Sequence, residues 1–171
     1  AKKSKYIDRL VLSSEDNEII ETAKQYGCEV PFIRPPELAD DHISSVYAVL
    51  DVVKKITGFD YVVLLQATSP LQIVSDMDGV IKKCIEKKAP ACVSVTIPSK
   101  SPYWMYQIDK NDLMAPLITS KYLKKRRQDH PKVYALNGAI FMAETEYYIE
   151  TENFYGPQTV AYEMPVERSL D

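Results

Sequence analysis

The sequence places a polar stretch that could bind a ligand directly after an apolar run. Five consecutive apolar residues, Tyr61–Leu65, precede Gln66 and a turn that ends in Pro70. Such a run is typical of a central strand buried on both faces, and in open α/β sheets ligands bind beyond the carboxyl ends of the strands. Gln66 is therefore a candidate for hydrogen bonding to a polar ligand. The alternative is an ordinary polar turn.

A second candidate group is a cluster of positive charge, formed by Lys121, Lys124, Lys125, Arg126 and Arg127. Such a cluster can hold a phosphate or a carboxylate, but adjacent basic residues are more often a solvated face. The formal net charge is -3, and no extended aromatic platform accompanies the cluster. We therefore expect no nucleic acid partner.

Composition argues against several other classes of protein. Cys28, Cys84 and Cys92 are odd in number and lack the spacing of a zinc site, so we expect reduced, packed thiols. No apolar run approaches the roughly 20 residues of a membrane-spanning helix, and no signal peptide precedes the first strand. We expect a cytoplasmic protein with no membrane partner.

Alternating strand and helix patterns must position the candidate residues. Helical spacing of apolar residues follows capping signals within 13–16, at Ser44 or Ser45, and in the capping-box pattern at 75–78. Short apolar runs predict strands, and these lie at 9–14, 29–33, 61–65, 91–97, 137–142 and 159–164. This alternation, with a further short helix at 144–150, predicts a doubly wound α/β domain.

The alternation is interrupted after Pro98. Aromatic and polar residues alternate over 101–107, and Asn111 and Asp112 indicate a turn, as in a hairpin or arm. Clustered Tyr, Trp and Met residues are enriched in interface cores, so we expect a homodimer whose interface includes Trp104 and Tyr106.

Six segments together resemble the acylneuraminate cytidylyltransferases, which activate sialic acid and related nonulosonic acids as CMP-sugars. The segments span almost the whole chain: VLSSED at 11–16, RPPELADD at 34–41, LLQATSPL at 64–71, RQD at 127–129, NGAIF at 137–141 and SLD at 169–171. The resemblance implies an α/β, Rossmann-like nucleotidyltransferase fold, a three-layer sandwich with a mainly parallel sheet and a projecting dimerisation arm. It implies one domain over 1–171, with the dimerisation insertion at about 100–135.

The reaction implied by this resemblance is transfer of CMP from CTP to a nonulosonic acid of the sialic, legionaminic or pseudaminic type, with release of pyrophosphate. The residues implicated are Arg34 and Ser45 for the nucleotide, Gln66, Phe141, Phe154 and Tyr155 for the sugar, Arg127 and Asp171 for catalysis, and Asp171 for Mg²⁺. Attack of a sugar hydroxyl on a phosphate needs charge neutralisation and alignment more than covalent help from the protein.

Each assignment has a simpler alternative. Arg34 is equally explained by an ion pair with Glu37 or Asp40 in its own loop, and Ser45 by a helix cap. Arg127 is explained by a solvated basic face, and isolated aromatic residues are more often core.

Two departures from the family pattern set a further expectation. The strand and the glycine- and lysine-bearing loop that cradle the triphosphate do not precede Ala1, and only the first aspartate of a terminal Asp-x-Asp pair is present. We therefore expect a folded fragment with incomplete catalysis. The alternative is a non-catalytic nucleotide-binding or dimerisation module that has lost the phosphate loop.

Overall fold

The structure, a computed structural model, describes residues 1–40, 42–119, 121–123 and 125–170, with Arg127 described by its backbone only. Its helices and strands, in chain order, are α1 (Asn17–Gln25), α2 (Ser45–Lys55), β1 (Tyr61–Leu65), α3 (Val74–Lys87), β2 (Ala91–Thr96), β3 (Tyr106–Ile108), β4 (Met114–Pro116), β5 (Ala135–Glu144), α4 (Thr145–Thr151) and β6 (Val160–Glu163). Short 3-10 turns lie at Pro36–Leu38, Pro102–Trp104, Arg127–Asp129 and Val166–Arg168. Across these ranges, none of the helices has the length and apolar character needed to cross a membrane.

The larger sheet of the described chain has the strand order β1-β5-β2-β6. β5 runs antiparallel to β1 and β2, and β6 runs parallel to β2, so three strands point the same way. The predicted α/β sheet is confirmed, with β5 as its antiparallel member. The expected central position of β1 was wrong for the described residues, because β1 lies at an edge and its residues are half-buried.

Side-chain alternation along the strands divides the core between the two faces of the sheet. Val93 and Phe141 belong to a cluster that packs with residues of α2 and α4. Cys92 and Met142, their immediate neighbours, belong to a second cluster that packs with residues of α3. Helices therefore cover both faces, which confirms the predicted three-layer sandwich.

Capping residues set the starts of the helices. Asp16 Oδ1 accepts a hydrogen bond from the Ile19 amide at 2.9 Å at the start of α1. Ser44, and not Ser45, caps α2, because Ser44 Oγ accepts from the amide of the second helical residue at 3.3 Å. At α3 the residue before the helix is Ile73, two positions before the predicted Ser75. Asp76 Oδ2 accepts a hydrogen bond from the Ile73 amide.

The two strands predicted before α2 were wrong for the described chain, which has no strand there. Residues 9–14 and 29–33 are joined by an isolated parallel bridge between Val11 and Glu29. Arg9 strengthens this contact through an ion pair with Glu29, in which Nε lies 2.9 Å from Oε2. The short apolar runs thus give a single bridge here and no ladder.

The predicted hairpin is formed by β3 and β4, which make a separate two-stranded sheet. Its turn contains Asp112 in the left-handed conformation, with φ of +61°, and Asp109 Oδ1 accepts two backbone hydrogen bonds. At its base, the ring of His130 packs edge-on against Trp104 at 4.9 Å and Tyr103 at 5.4 Å. A two-stranded hairpin is marginally stable alone, so this aromatic cluster anchors the arm.

Candidate active site

The carboxyl ends of β1, β2 and β6 lie at the same end of the sheet, where the antiparallel β5 begins. At this edge Leu65 pairs with Ile140, and the amide of Gln66 donates to the carbonyl oxygen of Ala139 at 3.2 Å. Gln66 therefore lies where ligands bind in open α/β sheets. We call this region the carboxyl edge.

The side chain of Gln66 is half-buried, and none of the described residues forms a hydrogen bond with its carboxamide. Leu64, two residues earlier, packs with the core cluster beneath α2 and α4, so strand alternation directs Gln66 towards that face. A carboxamide offers both donors and an acceptor. Gln66 can therefore pair with a hydroxyl or a carboxylate of a ligand.

A bulge in β5 shapes the carboxyl edge. The pairing register between β2 and β5 shifts just after Val93, so residues 137–140 have no partner in the ladder between these two strands. Gly138 has φ of +68°, a conformation that glycine adopts without strain. Ser94 replaces the missing ladder partner, because its Oγ accepts from the Ile140 amide at 2.8 Å.

Asn137 joins this bulge to the terminal segment, residues 165–170. Its Oδ1 accepts from the Ser94 hydroxyl at 2.6 Å, and its Nδ2 donates to Ser169 Oγ at 2.9 Å. Ser169 Oγ donates in turn to the Pro165 carbonyl oxygen at 2.8 Å. Ser94 and Asn137 are both buried, and a satisfied buried network is rigid. The network holds the terminal segment at the carboxyl edge.

An ion pair between a partly exposed arginine and a buried carboxylate fastens the same segment to α3. Arg168 donates from Nε and Nη2 to the two carboxylate oxygens of Asp76, at 2.9 and 2.8 Å. Asp76 is fully buried and also accepts from the Ile73 amide at 3.2 Å. Its oxygens are thus engaged within the fold, so we assign Asp76 a structural role and not that of a metal ligand.

Phe141 and Phe154 lie together in the core. Their ring centroids are 5.7 Å apart, Phe154 lies 4.4 Å from the ring of Tyr148, and both phenylalanines are less than 10% exposed, at 9% and 6%. Tyr155, in contrast, is 50% exposed. Core packing, the alternative considered for these aromatics, describes the two phenylalanines, whereas Tyr155 offers surface to a ligand.

Ser45 lies in the first turn of α2, the helix that packs on the same face of the sheet as Phe141 and Phe154. It is exposed, and its hydroxyl forms no hydrogen bond with another described residue, because Ser44 supplies the cap. The Tyr148 hydroxyl donates to the Val46 carbonyl oxygen at 3.2 Å and ties the core aromatics to this helix terminus. First-turn N–H groups and a nearby hydroxyl can face a polar or anionic ligand.

The side chain of Arg34 is held by the loop before α1. The alternative prediction of an ion pair with Glu37 or Asp40 was wrong. Its Nη2 donates to the Ser13 carbonyl oxygen, its Nε donates to Ser13 Oγ at 3.2 Å, and its Nη1 lies 3.8 Å from Glu15 Oε2. The guanidinium is therefore oriented, and its side chain remains 27% exposed. Its remaining donors can pair with a phosphate.

Two predicted catalytic residues lie wholly or partly outside the described structure. Asp171 is outside the described residues, and Arg127 is described only as backbone in the turn Arg127–Asp129. Within 1–40, 42–119, 121–123 and 125–170, no three His, Cys, Asp or Glu side chains form a group that could hold a metal ion. Magnesium binding by Asp171 stays a prediction.

The buried cysteines do not supply a nucleophile. Burial raises the pKa of Cys84 to about 11 and the pKa of Cys92 to about 12, so both thiols stay protonated near neutral pH. Cys28 is half-buried, and all three cysteines are free thiols. Buried thiols in apolar surroundings are inert. The prediction of reduced, packed thiols is confirmed for Cys84 and Cys92.

A cavity of about 280 Å³ opens at the base of the arm, with Ser101, Gln128 and His130 among its lining residues. Ile97, which follows directly on β2, also lines it, so the cavity adjoins the carboxyl edge. Among the predicted site residues whose side chains the structure describes, none lines it, and Gln128 is the chain neighbour of Arg127.

Sequence reasoning gave no role to Ser94, Asn137 or the Asp76–Arg168 pair. An asparagine followed by glycine inside an apolar strand is a signal for a bulge and could have identified Asn137. Asp76 and Arg168 are 92 residues apart in the chain, and no local pattern relates them.

Comparison with known proteins gives a consistent result. A family model described as cytidylyltransferase matches residues 1–163. The chain is 28% identical to a pseudaminic acid cytidylyltransferase of Campylobacter jejuni over 169 residues, 96% of this chain and 72% of the relative. It is 30% identical to a CMP-N,N'-diacetyllegionaminic acid synthase of Legionella pneumophila over 164 residues, 93% of this chain and 69% of the relative. It is 29% identical to an N-acylneuraminate cytidylyltransferase of Escherichia coli over 175 residues, all of this chain and 40% of the relative.

Among solved structures, the chain resembles a CMP:2-keto-3-deoxy-manno-octonic acid synthetase complexed with CTP, with a TM-score of 0.65. The superposition covers 96% of this chain and 76% of that chain at 11% sequence identity. This likeness shows the fold, and it confirms the fold expected from the motifs.

Proposed function

Because the chain belongs to the cytidylyltransferase family, we propose that it transfers CMP from CTP to a nonulosonic acid of the sialic, legionaminic or pseudaminic type, with release of pyrophosphate. The observation that carries the proposal is the family match over residues 1–163, together with relatives named for pseudaminic, legionaminic and N-acylneuraminic acids. These relatives align with nearly the whole chain, so the match is not confined to one motif.

In this reaction a sugar hydroxyl oxygen forms a bond to the α-phosphorus of CTP. The bond between that phosphorus and the oxygen bridging to the β-phosphate breaks, and pyrophosphate leaves with the electron pair. The hydroxyl proton is lost to a base or to water. Such a displacement depends on alignment of the two substrates and on neutralisation of phosphate charge.

Arg34 and Ser45 are the residues that we propose for the nucleotide. Arg34 has a guanidinium oriented by Ser13 and partly accessible, which suits it to a phosphate or to a base carbonyl. Ser45 presents an exposed hydroxyl in the first turn of an 11-residue helix, where free N–H groups also point outwards.

Gln66, Phe141, Phe154 and Tyr155 are the residues that we propose for the sugar. Gln66 supplies hydrogen bonds at the carboxyl edge, where its carboxamide is free of partners in the described chain. Tyr155 has the exposed surface that an acyl group needs. Phe141 and Phe154 support this site from the core, because their rings are buried against each other.

Arg127 and Asp171 complete the proposal. Arg127 would pair with the sugar carboxylate, for which a planar guanidinium is the suitable partner. Asp171 would be a protein ligand of Mg²⁺, a cation that prefers oxygen ligands and neutralises phosphate charge when bound. We propose the cytoplasm as the place of reaction.

We also propose a homodimer formed through the arm. β3 and β4 present exposed apolar side chains, of which Ile108 and Met114 are paired across the hairpin and are 67% and 63% exposed. Tyr106 lies on the same face by strand alternation and is half exposed. A contiguous apolar face of this kind marks an interaction surface, and a second copy of the chain is the partner that we propose.

The test is pyrophosphate release by the full-length gene product that contains this chain. We expect release from CTP only when a divalent cation and a nonulosonic acid are both present. Equal rates with UTP, or with 2-keto-3-deoxy-manno-octonic acid, would refute the assignment of substrates. Binding of CTP without turnover of any nonulosonic acid would instead support the non-catalytic nucleotide-binding module.

A further inference from the structure

The loop after β1 holds the peptide groups on both sides of Gln66. The Gln66 amide donates to the Ala139 carbonyl oxygen at 3.2 Å. The Gln66 carbonyl oxygen accepts from the Ser69 amide at 3.3 Å and from Gln72 Nε2 at 3.2 Å. A carbonyl oxygen has two lone pairs, and both are used here. The position of the Gln66 Cα, and with it that of the Gln66 side chain, therefore depends on the side chain of Gln72.

Of the two polar atoms of the Gln72 carboxamide, only Nε2 forms a hydrogen bond with a described residue. Its Oε1 is buried and has no hydrogen-bond partner among the described residues. Turning the amide over would set Oε1 against the Gln66 carbonyl oxygen, so the present orientation is the one that the contact allows. A buried acceptor without a partner lowers stability. Gln72 is therefore less favourable for folding than an apolar side chain of the same size, and what it contributes is a donor to Gln66.

Ser69 provides a matched comparison within the same loop. It is fully buried, and its Oγ also lacks a partner among the described residues. Its backbone amide holds Gln66, but its hydroxyl does not. Removal of the Ser69 hydroxyl should therefore leave Gln66 in place, whereas removal of the Gln72 carboxamide should release it.

We propose that Gln72 is a positioning residue for Gln66, and that it sets the affinity for the sugar by fixing the Gln66 peptide at the carboxyl edge. The inference rests on the proposed function, in which Gln66 binds the sugar. Gln72 acts through Gln66, because its donor is engaged by the Gln66 carbonyl oxygen.

Steady-state kinetics of three variants test the proposal. Gln72→Met keeps the size of the side chain and removes both the donor and the unpaired acceptor. We expect KM for the nonulosonic acid to rise about three- to tenfold, the equivalent of one net hydrogen bond. KM for CTP should change by less than about twofold, and the melting temperature should stay equal or increase. Gln72→Arg, whose guanidinium carries donors only, should restore the KM for the sugar, and Ser69→Ala should keep the wild-type value.

A merely structural role of Gln72 makes the opposite prediction. Stability and both KM values would then worsen together in Gln72→Met, and that result overturns the proposal. An unchanged KM for the sugar in Gln72→Met overturns it as well.

Amide hydrogen exchange of the substrate-free protein measures how firmly the Gln66 peptide is held, independently of catalysis. The Gln66 amide should exchange faster in Gln72→Met and at the wild-type rate in Ser69→Ala. Inactivity of the wild-type protein towards every nonulosonic acid would count against the proposed function, and exchange would still decide the role of Gln72. Equal exchange at Gln66 in Gln72→Met and wild type overturns the inference whatever the activity.

Discussion

Asn137 should be a stabilising residue of the carboxyl edge, and Asn137→Ala tests this. The side chain is 5% exposed and links Ser94, the Ala139 amide and Ser169 through hydrogen bonds of 2.6, 3.3 and 2.9 Å. It therefore connects the bulge in β5 to two parts of the chain that are distant in sequence, β2 and the terminal segment.

The magnitude follows from which partners can find replacements. The Ser94 hydroxyl can turn to the Ile140 carbonyl oxygen, which lies 3.1 Å away, and the half-buried Ser169 hydroxyl can reach water. The Ala139 amide is buried in the bulge and has no such replacement in the described arrangement. One buried unpaired donor, together with the lost packing and the weakened remaining bonds, gives a loss of about 2–4 kcal/mol in the free energy of unfolding.

For a chain of 171 residues this loss corresponds to a decrease of about 5–12 °C in Tm. Urea unfolding followed by circular dichroism should show a lower midpoint with an unchanged slope. Asn111→Ala, in the exposed turn of the arm, is the control and should change stability by less than about 0.5 kcal/mol. If Asn137→Ala is no more destabilising than this control, the network does not hold the carboxyl edge together.

Three further predictions concern the sugar site, the arm and the thiols. Tyr155→Ala should raise KM for the sugar by the equivalent of about 1–3 kcal/mol, with little change in KM for CTP. Phe154→Ala should mainly lower the free energy of unfolding, by about 3–5 kcal/mol. Steady-state kinetics and urea unfolding of both variants check this. Ile108→Asp should convert the dimer to a monomer in sedimentation at micromolar concentration, whereas Gln107→Asp, on the opposite face of the hairpin, should not; a wild-type monomer would contradict the proposed interface. At pH 8 a thiol reagent should label Cys28 first in the folded protein, because Cys28 is only half-buried, whereas Cys84 and Cys92 are buried. Burial raises the pKa of all three thiols, to about 11 for Cys84 and about 12 for Cys92; equally fast labelling of all three without denaturant would contradict this.

Local patterns in the sequence were sufficient to predict most helices and strands. Periodic apolar residues predicted α2, and its Val49, Leu50 and Val53 are buried as expected. The turn at Asp112 was predicted from residue type, because aspartate and asparagine tolerate the left-handed conformation there. Motif order along the chain also identified the family, which the family model confirms.

The arrangement of the carboxyl edge was decided by the tertiary structure. The apolar run of β1 did not reveal that β5 would pair with it antiparallel and leave it at an edge of the described sheet. Nor did the loop sequence show that Arg34 binds Ser13 and not the acidic residues nearby. Strand periodicity specifies which face of a strand is buried, because alternate side chains point to opposite faces. It does not specify the neighbouring strand, because that choice depends on register, loop closure and packing between residues far apart in the chain.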